Sequence, residues 1–355
     1  MTIAEIRELA IHAAKGTAPA TFSVENVNDA LKDAMNELAG SLNQFMKNRY
    51  DIYEIISQAA DVQVPQNVIG TMAAFAETQV VGEGQKVSFR TPVMGKNRAK
   101  KFLTQVGLSG VYESFRLDRD TFDIKTKAIG GAASIDFQRF LDGAENMSDL
   151  MEIITEGLTD AIFAEVQKAL VAAADASGRP AANLVTSATF EPDKMFKLCT
   201  IAKAYGGGNA TIFAAPEFVG AMGPDAIVPV GTVQQGVYHP SDIDAIHNTG
   251  YINIFRGTPV VQIPQSFTDE NNNKTQIDPQ MAYILPSGRE KVVKIVLEGP
   301  TQIVDHDNRD NSMEIDAWKK VGVGILTHYN WCVYKNTSIP QTLEYAYDLG
   351  DFVGL

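Results

Sequence analysis

Residues 148–174 read SDLMEIITEGLTDAIFAEVQKALVAAA, and their spacing predicts the longest regular element of the chain. Leu150, Ile153, Ile154, Leu158, Ala161, Ile162, Val166, Ala169, Leu170 and Ala173 recur three and four positions apart, which places them on one face of a helix. Asn146 or Ser148 supplies an N-cap, and Asp149 and Glu152 put negative charge in the first turn, where the helix dipole favours it. At its fixed rise per residue such a helix runs roughly 40 Å, a spine on which other segments can be laid. Ser177-Gly178-Arg179-Pro180 ends it and marks a domain boundary.

Beyond the boundary, Pro192 opens a second helix through Met195, Leu198, Ile201, Ala202 and Tyr205, and Gly206-Gly207-Gly208 stops it. Thr211-Ile212-Phe213-Ala214 is a short buried strand, followed after Pro216 by a helical turn over 217–222. Strands are expected at 251–255 and 260–263, joined by Arg256-Gly257-Thr258-Pro259, and at 281–285. Residues 181–290 therefore read as a compact α+β domain. Further strands at 292–297, 301–304, 313–318 and 321–333 return the chain to β structure that can lie on the spine.

Upstream, residues 86–91 and 103–107 are extended and are separated by Met94-Gly95-Lys96-Asn97-Arg98-Ala99-Lys100-Lys101, so they read as a long hairpin with a basic tip. Lys86, Arg90, Lys96, Arg98, Lys100 and Lys101 against Glu83 alone give residues 82–101 a local charge of +5. A two-stranded ribbon this long is marginal alone and must lie on something. The next stretch, 115–127, alternates in strand fashion.

The first sixty-odd residues form an arm. A short leading helix is followed after Gly16-Thr17-Ala18-Pro19-Ala20 by an amphipathic helix to about Lys47, with Val27, Leu31, Ala34, Leu38, Leu42 and Phe45 on one stripe. A further helix over 50–60 is closed by Pro65. The stripe suits either packing on the chain's own core or contact with a neighbouring subunit.

Composition narrows the function. At 355 residues, 45% hydrophobic and 21% charged, the chain can bury a real core and is not globally disordered. Its net charge of −13 repels phosphate, which argues against a sequence-specific reader of nucleic acid. No apolar run reaches the eighteen or so residues of a membrane helix. Glu5 and Glu8 stand where a signal peptide wants basic and then apolar residues, so synthesis in the cytoplasm is expected. Cys199 and Cys332 read as buried small hydrophobes rather than a disulfide or a metal pair.

No motif supplies chemistry. Gly206-Gly207-Gly208-Asn209 follows a helix and precedes a strand, the reverse of a phosphate-binding loop. Gly107-Leu108-Ser109-Gly110 sets its second glycine one position early for a nucleophile elbow. The histidines, His12, His239, His247, His306 and His328, lack zinc spacing. Asp305-His306-Asp307-Asn308-Arg309-Asp310 fails as a calcium loop, because Arg309 and Asp310 stand where a ligand and a glycine are needed. Residues 298–316 sum to −5, either as a solvated turn or as an electrostatic socket for the basic hairpin tip of another subunit. No cofactor, metal or catalytic residue is expected.

A helical arm, a long basic hairpin, a spine helix, a compact domain and returning strands make up a chain whose projecting parts need neighbours to cover them. In that order of elements the chain resembles the major capsid proteins of tailed bacteriophages, the Hong Kong 97 type shell fold shared with encapsulin nanocompartments. The resemblance covers about residues 50–333. Val87-Ser88-Phe89-Arg90-Thr91-Pro92 enters a hairpin similar to the E-loop, and 148–174 is similar to the spine helix. Ala210-Thr211-Ile212-Phe213-Ala214-Ala215-Pro216-Glu217-Phe218-Val219 is similar to the strand, proline and short helix of the axial domain. Arg256-Gly257-Thr258-Pro259-Val260-Val261-Gln262-Ile263-Pro264 and the closing strand at 321–334 agree.

The resemblance implies an α+β phage major capsid fold with an N-terminal helical arm (1–78), an extended hairpin with following strands (79–131), a peripheral domain containing the spine (132–180 and 291–355) and an axial domain (181–290). It further implies a non-enzymatic shell subunit whose hexamers and pentamers close into an icosahedral virion capsid in the bacterial host cytoplasm. That shell encloses the double-stranded DNA genome of a tailed phage, without sequence-specific binding. The implied partners are copies of itself, a portal protein and scaffolding or decoration proteins, with no membrane. Net negative charge suits a shell filled by a motor, which gains nothing from gripping DNA. Subunit contacts are expected at Lys96, Arg98, Lys100 and Lys101 of the hairpin tip, at Asp305, Asp307 and Asp310 of the acidic loop, and at Leu38, Leu42 and Phe45 of the arm. An encapsulin-like compartment enclosing cargo enzymes is the alternative.

Overall fold

The computed structural model describes residues 2–18, 24–74, 76–90, 121–136, 147–175, 180–222, 244, 251, 253–287, 291–307, 312–326 and 331–344. The chain is mixed α+β and divides into two compact units, one of Met1–Val87, Ile124–Val166 and Lys294–Val323, the other of Ser88–Asp123, Gln167–Val293 and Gly324–Leu355.

In the first unit, three helices pack together and the third of them lies on a four-stranded sheet. Helix α1 (Ile3–Ala14) begins with a capping box in which Thr2 and Glu5 satisfy each other's backbone N–H groups. It packs on α2 (Val24–Leu38) and α3 (Leu42–Met72). Ile6 and Leu9 of α1, Val27, Leu31 and Met35 of α2, and Ile52, Ile55 and Ile56 of α3 are all buried. The arm thus forms a packed layer of its own.

Its boundaries differ from those the periodicity predicts. The expected helix to Lys47 breaks at Ala39-Gly40-Ser41, where Ser41 caps α3 by accepting the Gln44 N–H at 3.3 Å. Pro65 ends nothing: α3 runs on to Met72. The proline removes one N–H, but Val64 and Val68 beside it are fully buried, and this packing holds the helix through the missing bond.

The sheet beneath α3 has the order β1-β10-β11-β4, made of Ala76–Val81, Val293–Asp307, Ser312–Ile325 and Lys127–Asp136. The sequence suggested two short strands on either side of 298–300 and two more around 319–320. The first pair is instead one continuous strand, and β11 runs unbroken through 319–320 to Ile325, taking in the first part of 321–333. Ile315, Ala317, Lys319 and Val321 alternate with less buried neighbours, so Lys319 occupies a core-facing position of β11 rather than a turn. Lys319 donates to Asp61 of α3 at 2.6 Å, and Asp61 also accepts the Thr301 N–H and hydroxyl, each at 2.7 Å. Ser57 of α3 adds a bond to the Thr301 carbonyl. These polar bonds fasten the helical layer to β10 and β11.

Strand β4 pairs antiparallel with β11, with Gly130 opposite Trp318. A Cβ at Gly130 would stand 2.2 Å from the Ala317 carbonyl oxygen and 2.5 Å from the Trp318 Cβ. Only glycine fits there. Gly130→Ala should therefore lower stability by about 1–3 kcal/mol as the strand is forced outward, which chemical denaturation followed by circular dichroism would measure.

The spine is helix α4, Met147–Asp175, one residue longer at each end than its expected span. Leu150, Ile154, Leu158, Ile162, Val166 and Leu170 are buried as the stripe requires, whereas Ile153 is 61% exposed. Thr155 and Thr159 are buried mid-helix because each hydroxyl bonds back to the carbonyl four residues earlier, at 2.8 and 2.7 Å. In the first unit, Glu165 of α4 pairs with Lys127 of β4 at 2.7 Å.

The second unit is built on a six-stranded sheet in the order β5-β12-β9-β6-β8-β7, comprising Leu184–Ser187, Cys332–Asn336, Met281–Pro286, Ala210–Ala214, Thr258–Gln262 and Ile254–Phe255. Strand β5 carries no signal strong enough to be expected. Strand β12 is the second half of what the sequence presents as one closing strand, and it inserts parallel to β5 and antiparallel to β9. Every residue of β9 is buried, as both faces of this central strand are covered.

On one face, helices α5 (Pro192–Tyr205) and α6 (Pro216–Met222) bring Met195, Leu198, Ala202, Phe218 and Met222 onto Ile212, Ala282, Ile284 and Tyr334. On the other lie Phe213, Tyr283, Leu285, Trp331 and Val333, and Gln167 of α4 reaches the Tyr283 hydroxyl at 3.4 Å. Cys199 and Cys332 are both fully buried, and neither is in a disulfide.

Candidate functional site

The candidate surfaces are the root of the basic segment, the acidic end of β10 and the helical arm. At the root, β2 (Ser88–Arg90) pairs antiparallel with β3 (Thr121–Asp123). The sequence expected 86–91 to meet 103–107; the described partner is β3 instead, and 103–107 lies outside the described residues. Phe89 stands opposite Phe122 and is buried, and Ser88 donates to the Asp123 carboxylate at 2.5 Å. The chain thus leaves β2 after Arg90 and enters β3 at Thr121 in register, and Lys96, Arg98, Lys100 and Lys101 fall in the intervening excursion of the sequence, 91–120. Those four residues lie outside the described residues.

The acidic candidates sit where β10 ends. Asp305 and Asp307 are in its last three positions, not in a turn, and nothing of their side chains is described. Asp310 lies outside the described residues. Across β11, Ser312 is opposite Asp136, the last residue of β4, so the chain places a third aspartate at the same end of the sheet.

The arm candidates separate. Leu38 ends α2 half-buried, and its carbonyl accepts the Asn48 side-chain amide at 3.0 Å. The side chain of Leu42, the first residue of α3, lies outside the described residues. Phe45 is fully buried, with its ring 6.4 Å edge-on from Tyr53. It is part of the chain's own core, and no part of the ring is left for a neighbour.

Reading the stripe alone misses what α3 turns outward: Met46 is 44% and Tyr50 68% exposed. They lie four residues apart on one helical face, with the Arg49 guanidinium 4.9 Å from the Tyr50 ring centre. The signal was available, since α3 carries apolar residues around more than one face of its circumference. In the second unit Ile254 of the edge strand β7 and Phe267 are also more than half exposed.

Against these surfaces, the described residues offer little to a reaction. Among them no group of His, Cys, Asp and Glu could hold a metal ion, and no helix is long and apolar enough to cross a membrane. Burial pushes the Cys199 thiol up to about 11, so it is protonated and unreactive at neutral pH. His12 is held at 2.9 Å from the Thr17 hydroxyl. A half-open cleft of about 260 Å³ in the first unit is lined by Ala13, Asn28, Asp29, Lys32, Gln63 and Glu152 among others. Its lining contains no thiol or imidazole.

Comparison with known proteins gives a family. The sequence profile of the family described as "SPbeta prophage-derived putative capsid protein YonB" matches residues 5–333. No curated protein matches the chain. Among solved structures, it is similar to the capsid of a native GTA particle at 12% identity and a TM-score of 0.49, covering 75% of this chain and 89% of that one. It is similar to the mature capsid of bacteriophage PhiM1 at 12% identity and 0.46, covering 75% and 86%. The holo-SrpI encapsulin of Synechococcus elongatus matches at 13% identity and 0.44, covering 77% and 90%.

Proposed function

The chain belongs to the YonB family of prophage-derived capsid proteins, and from that premise we propose that it is the shell-forming subunit of an icosahedral container. Capsid proteins are structural rather than catalytic, and they associate with copies of themselves. The family match over almost the whole chain is the observation that carries the reading. In this proposal the fold is the Hong Kong 97 type shell fold, the 91–120 excursion is the extended hairpin, α4 is the spine and the six-stranded sheet is the heart of the axial domain. Hexamers and pentamers close the shell around double-stranded DNA. A portal protein and scaffolding or decoration proteins are the remaining partners.

Affinity in such an assembly comes from subunit contacts. Permanent interfaces bury on the order of 2,000 Å² or more and are rich in apolar residues. Met46 and Tyr50 of α3 and Ile254 at the edge of the six-stranded sheet are suitable contributors. The net charge of −13 gives the wall no general grip on DNA. The basic excursion and the acidic end of β10 from a neighbouring copy supply complementary charge, which sets register and association rate more than raw affinity.

Negative-stain electron microscopy of the purified protein at low and high concentration tests the proposal. Closed shells, or rings of five and six, are expected; compact monomers at every concentration would overturn it. Nuclease-protected DNA inside particles from lysed host cells distinguishes a genome container from a cargo compartment. Reversing the charges of Lys96, Arg98, Lys100 and Lys101 together should cut the yield of closed shells at least about tenfold while the monomer stays folded, because like charges facing across an interface cost several kcal/mol. Wild-type shell yield from that variant would remove the socket from the proposal.

A further inference from the structure

Both legs of the excursion end on one carboxylate. Glu298 of β10 is 8% exposed. Its Oε1 accepts the Gly84 N–H of the outgoing leg at 2.9 Å, and its Oε2 accepts the Thr126 hydroxyl of the returning leg. We propose that Glu298 is the clasp of the 88–123 segment, a side chain of the sheet that takes one bond from each of the two legs and so fixes where the segment departs.

The surrounding backbone is shaped for such a clasp. The outgoing leg makes a tight turn in which Gln85 N–H bonds to the Gly82 carbonyl at 3.2 Å and the Gln85 side chain takes the Gly82 N–H at 3.3 Å. Gly84 adopts φ +76°, a left-handed conformation that presents its N–H to Glu298 and that side-chain-bearing residues rarely adopt. Beneath this leg is Gly299, also left-handed at φ +69°, where an added Cβ would lie 3.4 Å from the Glu83 Cβ. Beneath the returning leg is Gly322, where a Cβ would come within 2.7 Å of Ile124 and 2.9 Å of the Lys125 carbonyl. Just above the clasp, Ile124 N–H reaches the Val87 carbonyl at 3.4 Å, the last rung before β2 and β3 begin.

A carboxylate suits the task for a chemical reason. It has two acceptor oxygens and no donor, so it can take one donor from each leg at once. Alanine would leave an N–H and a hydroxyl without their partner. Glutamine can keep both bonds only if Thr126 turns round to accept.

The charged groups facing the clasp are Lys320 of β11, at 3.9 Å from Glu298 and 3.2 Å from Glu83, and Glu83 itself, which also accepts from Gln302. Lys319, next along β11, is engaged with Asp61. The Thr126 hydroxyl first, then the Gly84 N–H and Lys320, hold the Glu298 carboxyl below its ordinary value of 4.5, against the opposing effect of desolvation. The folded chain therefore binds this proton less readily than the unfolded chain. The clasp is complete above the ordinary carboxylate range and weakens as pH falls below 4.5.

The clasp is a property of the single chain; its consequence for assembly rests on the function proposed above. Hydrogen exchange on the full-length, unassembled protein tests it directly. In Glu298→Ala the Gly84 and Ile124 amides should exchange at least about tenfold faster than in the wild type while the amides of β9 keep their protection, because each loses a bond or a neighbour tied to a charged acceptor. Glu298→Gln should restore most of that protection and abolish its fall in acid. Unchanged exchange at Gly84 and Ile124 in a folded Glu298→Ala chain would overturn the clasp. If that variant fails to fold, Thr126→Val decides, since it removes one bond only: faster exchange at Ile124 upholds the proposal and wild-type exchange overturns it. Loosened legs together with normal shells would leave the clasp standing and count instead against the segment's role in assembly.

Discussion

Asp61→Ala should destabilise the first unit by about 3 kcal/mol or more, the cost of leaving a buried charge without its counter-ion. Lys319 is 2% exposed, and without Asp61 its ammonium would keep, among the described residues, the Gly299 carbonyl at 3.3 Å and the Thr301 hydroxyl at 3.4 Å. Two further bonds disappear with the carboxylate, those from the Thr301 N–H and hydroxyl. Asp61 is more open to water than its partner, with its side chain 28% exposed, which holds the expected loss to the lower end of the range. Replacing both partners with apolar residues, Asp61→Leu with Lys319→Met, should recover the part due to the stranded charge, because an apolar pair of similar size often matches or exceeds a buried ion pair, while the Thr301 N–H and hydroxyl stay without the carboxylate. Urea denaturation of the wild type, Asp61→Leu, Lys319→Met and the double variant in a double-mutant cycle measures the coupling. A single-variant loss below about 1 kcal/mol, typical of a surface pair, would show that the ion pair does not tie α3 to the sheet.

Trp331→Ala should cost about 3–5 kcal/mol in the second unit, the range for emptying a large aromatic site in a core. Trp331 is fully buried, 6.4 Å from the ring of Tyr283, and its carbonyl accepts the Asn183 side chain at 3.2 Å. It immediately precedes β12, so the cavity would open where that strand enters between β5 and β9. Trp331→Phe keeps most of the volume and should lose less than half as much. The midpoint of thermal unfolding, followed by circular dichroism, tests both. Equal midpoints for Trp331→Ala and the wild type would mean that this face of the sheet is not packed as described.

The elements whose signals are local were legible in the sequence. Helix α4 matches its apolar stripe, α5 begins at Pro192 and ends before three glycines, and the strand, proline and short helix at 210–222 fall where expected. What could not be read depends on partners far along the chain. Lys319 looks like the end of a strand because a lysine costs too much to bury alone. Its partner is 258 residues away, and no window of sequence contains both. Pro65 looks like a helix stop because the packing that holds α3 past it is likewise distant. Strand β5 has only Leu184–Ser187 to announce it and exists because β12 lies beside it.

The candidate surfaces follow the same division. The charge of the excursion and of residues 298–316 was plain from composition. That Glu298 serves both legs of the excursion, and is thereby withdrawn from the acidic surface, was not. Phe45 and Tyr50 are both aromatic residues near the start of α3, yet one is fully buried and the other 68% exposed. Periodicity gives a face to each residue but does not say which face the rest of the chain will cover.

The insertion of β12 between β5 and β9 also governs when the chain becomes competent during synthesis. The ribosome delivers β5 first, then β6, β7, β8 and β9, yet none of these strands completes the sheet. The slot beside β5 stays open until roughly 145 more residues have been made, which takes about 7–30 s at bacterial rates of elongation. A nascent chain thus cannot complete this sheet until β12 emerges. In a polysome crowded with identical growing chains, that delay leaves each unfinished chain with an open slot in its six-stranded sheet.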